Sequence, residues 1–183
     1  MKHTKLMSLA VLAAMALMAL AGTASAQLTA PAGTVVKTGT TISSTLKAKT
    51  SVVLSDTSGF IQNTCTASTV SGKTTNESGT IVVGNIETLD FESCTRPTKT
   101  LATGTLHIAT AGTVMGSGSK VQTETPNGAQ CVYGTGAGTH LGTLTNATSS
   151  TGHATLLINA VLPLIETISG ICISDARWKR NTQ

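Results

Sequence analysis

Four cysteines, Cys65, Cys94, Cys131 and Cys172, stand behind an export leader, and this combination constrains the fold more than any other feature of the chain. The leader is read from Lys2 and Lys5, the apolar run Leu6 to Ala21, and the small residues Ala24, Ser25 and Ala26. That order is the pattern of a secretory signal peptide, residues 1–26, cut before Gln27. The run is shorter than the roughly 20 residues of a spanning helix, and later segments are interrupted by Pro, Gly or charge. Residues 27–183 are therefore expected to form a single soluble β-rich domain in the periplasm, at the cell surface or in the medium. No cysteine follows the cleavage triplet, so no lipid anchor is expected.

In such a compartment four cysteines with none to spare imply two disulfides. Three pairings are open, and the preferred one joins Cys65 to Cys94 and Cys131 to Cys172. Each loop so closed is worth about 3.5 to 4 kcal/mol on chain-entropy grounds, comparable with the stability of a small domain. Phe60, Phe91, Tyr133 and Trp178 are the only aromatic residues, and each lies within six positions of a cysteine. They are expected as packing partners of the bridges. Tyr133 and Trp178 are also the candidates for stacking a ligand.

Composition points to strands. Thr makes up about a fifth of residues 27–183, Val and Ile recur, and helix-favouring side chains are sparse. Candidate strands run Thr34 to Thr38, Thr50 to Ser55, Gly59 to Ala67, Thr80 to Val83, Ile86 to Phe91, Thr103 to Thr110, Lys120 to Thr125, Ala129 to Tyr133, His140 to Thr145, Ala154 to Leu162 and Ile168 to Ser174. Short strands at this spacing indicate an all-β antiparallel sandwich, immunoglobulin-like or jelly-roll-like. Leu156 to Ile168 could pass for a helix, but Pro163 would cost it about 3 kcal/mol, so two strands or one bent strand are expected there.

Charge and motifs exclude several function classes. Lys2 and Lys5 leave with the leader, which lowers the formal net charge from +4 to +2 and leaves no basic block for nucleic acid. Lys37, Lys47, Lys49 and Lys73 read as solvated faces and edges of strands. The stretch CVYGTGAGTHLGTLT, from Cys131 to Thr145, lacks the third glycine of a dinucleotide fingerprint and is followed by a strand pattern, so it reads as a hairpin connection or bulge. Gly72, Lys73 and Thr74 mimic the end of a P-loop whose first glycine is replaced by Ala67. His107, His140 and His153 lie on separate segments and would hold a metal only if the fold gathered them. Solvent-facing strand histidines are the simpler expectation, so no metal, cofactor or catalytic residue is assigned. Asp90 and Glu92 share a strand face as ordinary surface charge. Asn63, Asn76 and Asn146 sit in glycosylation-type triplets, read here as chance matches in a Thr-rich chain.

The ordered pattern CTASTVSGKTTNESGTI, FESCT, CVYGTG, LGTL, ATLLINAVLPL and GICISDARW resembles a broad group of small exported bacterial proteins, and more distantly the secreted activator of alkane oxidation. The resemblance spans most of residues 27–183 and implies a secreted β-rich domain. In that group the chain continues past the tryptophan into one more strand, whereas here Gln183 lies five residues after Trp178, so either the last strand is absent, which leaves a sheet edge exposed, or the sequence is truncated. The segment IETLDFESC, with a cysteine 29 residues upstream, is also similar to the start of fimbrial subunits. The expected function is thus a secreted, non-catalytic structural or surface-interaction protein that self-associates. The alternative is an extracellular module binding an apolar or carbohydrate ligand.

Overall fold

A computed structural model describes residues 26–27, 35–145 and 153–182. The leader up to Ser25 and the Asn146 triplet lie outside these residues, as does the start of the candidate strand at Thr34. Fourteen strands and no helix occupy the described residues: β1 Ala26–Gln27, β2 Thr41–Thr45, β3 Thr50–Ser55, β4 Ile61–Thr74, β5 Ser78–Gly79, β6 Ile81–Cys94, β7 Thr98–Ala102, β8 Thr105–Ala109, β9 Thr113–Ser117, β10 Lys120–Glu124, β11 Gln130–Gly134, β12 Thr139–Thr145, β13 Thr155–Ser169 and β14 Asp175–Thr182. All pairings are antiparallel, and both expected disulfides, Cys65–Cys94 and Cys131–Cys172, are formed. Two disulfides mark a chain that matures in an oxidising compartment.

The layers of this fold are continuous with one another. Following the hydrogen bonds, β12 joins β9, β8, β6, β4, β3, β14 and β13 in turn, and β13 pairs back to β12. Eight strands therefore form a closed ring. An eight-stranded ring leaves an interior just wide enough to be filled by side chains or to hold one small ligand. The rings of Phe91 on β6 and Trp178 on β14 meet across this interior with centroids 4.9 Å apart. β11, β10 and β7 extend the sheet from the far half of β13.

Three strands are longer than their sequence patterns suggest. Gly59 to Ala67 runs on to Thr74 in β4, Thr80 to Val83 and Ile86 to Phe91 merge into β6, and Ala154 to Leu162 runs on to Ser169 in β13, whereas residues 170–174 of the candidate strand Ile168 to Ser174 form none. Pro163 sits inside β13 opposite Asp175 without breaking it. The amide of the next residue, Leu164, donates to Ser174 on the β14 side at 2.7 Å, so the backbone nitrogen of Pro163 faces the other edge. There β12 stops at Ile158 and β11 begins at Leu164, so the missing donor removes no ladder bond. Thr34 to Thr38, by contrast, forms no strand beyond a single bridge at Val35. Trp178 lies within the last strand, and β14 is bonded to both β13 and β3, so the sheet has no exposed edge at that point.

One glycine controls closure of the ring. Gly142 faces Val114 on β9 and Ile158 on β13, at the seam between β12 and β13. Its φ is +156°, and a Cβ built there would lie 1.8 Å from the carbonyl oxygen of Leu157. Only a residue without a side chain lets the two backbones approach this closely.

Candidate functional site

The interior of the ring is unevenly filled. At one end Leu54, Ala129, Cys131, Tyr133 and Ala176 pack at no more than 2% exposure, with the Cys131–Cys172 bridge in the same cluster. Asn63, 3% exposed, ties this end together. Its amide donates to the carbonyl of Arg96 and to the hydroxyls of Thr98 and Thr123, and its oxygen accepts from Thr95 Oγ1 and the amides of Thr64 and Arg96. All the hydrogen-bonding capacity of this side chain is thus used within the fold. Asn76 is similarly engaged with Ile81 and Val83.

The other end is hollow. A cavity of about 730 Å³ is enclosed by β2, β4, β6, β8, β12, β13 and β14. Its wall is apolar: Val70, Leu89, Phe91, Leu106, Leu141 and Ile158 all point inward, yet each remains only half-buried. In a filled core such inward side chains would touch neighbours on every side. Trp178, Val121 and Tyr133 form its floor against the packed end.

The mouth is set by topology. Among the described residues β2 pairs only with β4, and Thr155–Ile158 of β13 pair only with β12, so each segment keeps one backbone edge without a strand partner among them. Both segments line the cavity, through Ser43, Ser44 and Thr45 on one side and His153, Ala154 and Thr155 on the other, and all six residues are exposed. The wall is therefore interrupted between them. Lys47 stands at this opening as the only Lys, Arg, Asp or Glu among the described residues of the lining. Its position is fixed by the turn into β3, where the amide and hydroxyl of Thr50 both donate to the Lys47 carbonyl, at 3.1 and 2.6 Å.

The candidate stacking residues occupy the cavity floor. Tyr133 is fully buried and donates its hydroxyl to the Ile173 carbonyl at 3.3 Å. Burial, with the charge of Asp175 adding to it, pushes the phenol up to about 12. Trp178 is 6% exposed and its indole Nε1 has no hydrogen-bond partner among the described residues. Phe91 and Tyr133 pack as expected of aromatics near cysteines, but Phe60 does not. It projects from the β3–β4 turn at 62% exposure, with its amide bonded to Asp56.

The remaining candidates lie away from the cavity floor. His153 is at the mouth, while His107 on β8 and His140 on β12 are elsewhere in the wall. No group of three His, Cys, Asp or Glu side chains gathers among the described residues. Asp90 and Glu92 are exposed, as expected of surface charge. The GTGAG stretch connects β11 to β12, but it is no hairpin, because both strands pair to successive parts of β13 instead of to each other. Register shifts occur in the flanking strands, at Val132/Tyr133 and His140/Gly142, and not within the stretch itself. No helix among the described residues is long and apolar enough to cross a membrane. The chain matches no family model, no curated protein and no solved structure.

Sequence reasoning does not single out Lys47 or the inward leucines. The alternation in ATLLINAVLPL says that Leu156, Ile158, Ala160 and Leu162 face inward, but not that the first two meet open space.

Proposed function

We propose that this protein is an exported, non-catalytic binding module that takes up one elongated apolar molecule, with the polar end of that molecule at the Lys47 mouth. The observation that carries this reading is the 730 Å³ apolar cavity, within the size range of pockets that enclose a small ligand. Apolar surface facing such a space is stabilised when a hydrocarbon fills it, at about 25 cal/mol per Å² removed from water. A single ammonium group and no carboxylate among the described residues of the lining favours an acidic head over a basic one. Trp178 is the only tryptophan in the chain, so its fluorescence reports occupancy directly. Dodecanoate titrated into the disulfide-bonded protein is expected to change that fluorescence saturably with one ligand per chain. Absence of saturable binding by both dodecanoate and dodecane would overturn the reading.

A second reading, a self-associating surface protein, is favoured by the outer face of β13. Leu157, Val161 and Ile165 alternate along it at 45 to 48% exposure, and β2 keeps a free edge close by. Contiguous exposed apolar side chains and unpaired strand edges are the usual means of such association. Light scattering decides it: a strictly monomeric protein at high concentration removes this reading and leaves the first intact.

A further inference from the structure

We propose that His107, Met115 and His140 form a Cu(I) site on the outer face of the ring, independent of the cavity. The register places them in one row. His107 on β8 lies directly opposite Met115 on β9, and Met115 lies directly opposite His140 on β12. Directly opposed residues project from the same face of a sheet. The alternating neighbours Leu106, Ile108 and Val114 face the interior, so the row faces outward, with His107 and Met115 half-buried and His140 exposed.

The composition makes this juxtaposition informative. Residues 27–183 contain three histidines and one methionine, and two of those histidines flank that methionine across adjacent strands. β8, β9 and β12 carry no Lys, Arg, Asp or Glu, so no ammonium competes for the site and no carboxylate hardens it. Two strand spacings separate the histidines by about 10 Å at the backbone. Imidazoles leaning inward from both sides can meet above the thioether, since metal–nitrogen bonds are about 2 Å long.

His107 already has an outer partner. Its Nε2 lies 3.1 Å from Thr105 Oγ1 on the same strand face. With Nε2–H donating to that hydroxyl, the lone pair is left on Nδ1, the arrangement by which a second hydrogen bond orients a metal-binding imidazole. The donor set selects the ion. A thioether is a soft ligand that favours Cu(I), whereas Zn(II) prefers four donors drawn from thiolate, imidazole and carboxylate. Two imidazoles and a thioether are neutral, so a monovalent ion leaves less uncompensated charge on this face than a divalent one.

The test is a Cu(I) competition titration of the disulfide-bonded protein against bicinchoninate, with ascorbate as reductant. One equivalent is expected to bind, and Met115→Leu and His140→Gln are each expected to weaken it at least tenfold. The metal-free variants should keep the parent's unfolding temperature and its response to dodecanoate. X-ray absorption of the copper-loaded protein should show one sulfur neighbour that Met115→Leu removes. Failure to hold one equivalent, an affinity unchanged by Met115→Leu, or Zn(II) binding more tightly than Cu(I) at the same histidines would each overturn the proposal.

Discussion

The two ends of the ring use the same kind of strand to different effect. At the packed end, inward side chains are buried to a few per cent, Asn63 satisfies six hydrogen-bonding groups, and both disulfides cross-link β4 to β6 and β11 to the segment before β14. At the hollow end inward leucines and valines are half-buried, neither bridge is present, and two backbone edges have no strand partner among the described residues. Stability is thus concentrated where the chain is cross-linked, which leaves the other end able to keep apolar surface unfilled.

The largest expected effect breaks the ring itself. Gly142→Val places a side chain against the Leu157 carbonyl, and the β12–β13 seam must part or the strands must shift. A loss above about 4 kcal/mol is expected by denaturant unfolding, together with loss of dodecanoate binding. A variant with parental stability would mean that the seam is not what closes the cavity.

The next effect measures the contrast directly. Leu54→Ala at the packed end should cost about 2 to 5 kcal/mol, because it opens a void in close-packed surroundings. Leu106→Ala at the hollow end removes atoms that already face open space and should cost about 1 kcal/mol. Equal costs at the two positions would erase the distinction between the ends.

Alkali probes the packed end alone. Tyr133 is the only tyrosine, and its phenol sits at about 12 in the fold against an ordinary value near 10. The unfolded chain releases this proton first, so the stability contributed is present in full below pH 10 and is lost as pH rises to 12. The loss is on the order of 2 kcal/mol, and ultraviolet absorption should show no phenolate before unfolding begins. Phenolate formation near pH 10 in the folded protein would show that water reaches the floor.

The smallest effect on stability is at the cavity wall. Val70→Phe adds volume that a packed core would reject at about 1 to 3 kcal/mol. Here it should change stability by less than about 1 kcal/mol while abolishing the Trp178 response to dodecanoate. A full overpacking penalty would indicate that the space is not open in solution.

Much of the fold is legible in the sequence because it depends on local rules. The β class follows from Thr, Val and Ile in short punctuated runs, and Thr50–Ser55 coincides with a predicted strand. The preferred cysteine pairing also forms. Strand ends were harder to read. Pro163 suggests a break by its chemistry, and only the pairing of its neighbours shows that its missing donor falls on an unoccupied edge. β2, β7 and β14 have sequences, such as TISST and DARWKRNT, whose strand character comes from partners far along the chain, while β9 pairs with the neighbouring β8 as well as with β12. Tyr133 and Trp178 attract notice as rare aromatics, whereas Lys47 looks like any surface charge until the turn before β3 sets it at the mouth.

The sequence by itself determined that this chain is made of antiparallel strands and carries cysteines for two bridges, because side-chain alternation, turn chemistry and cysteine number act over a few residues. Only the tertiary structure decided that β12 returns to β13, that one end fills and the other stays open, and that His107, Met115 and His140 stand in a row. Closure also depends on pairings such as that of Ser55 on β3 with Arg177 on β14, far apart in the chain, and no local pattern encodes which strands will meet.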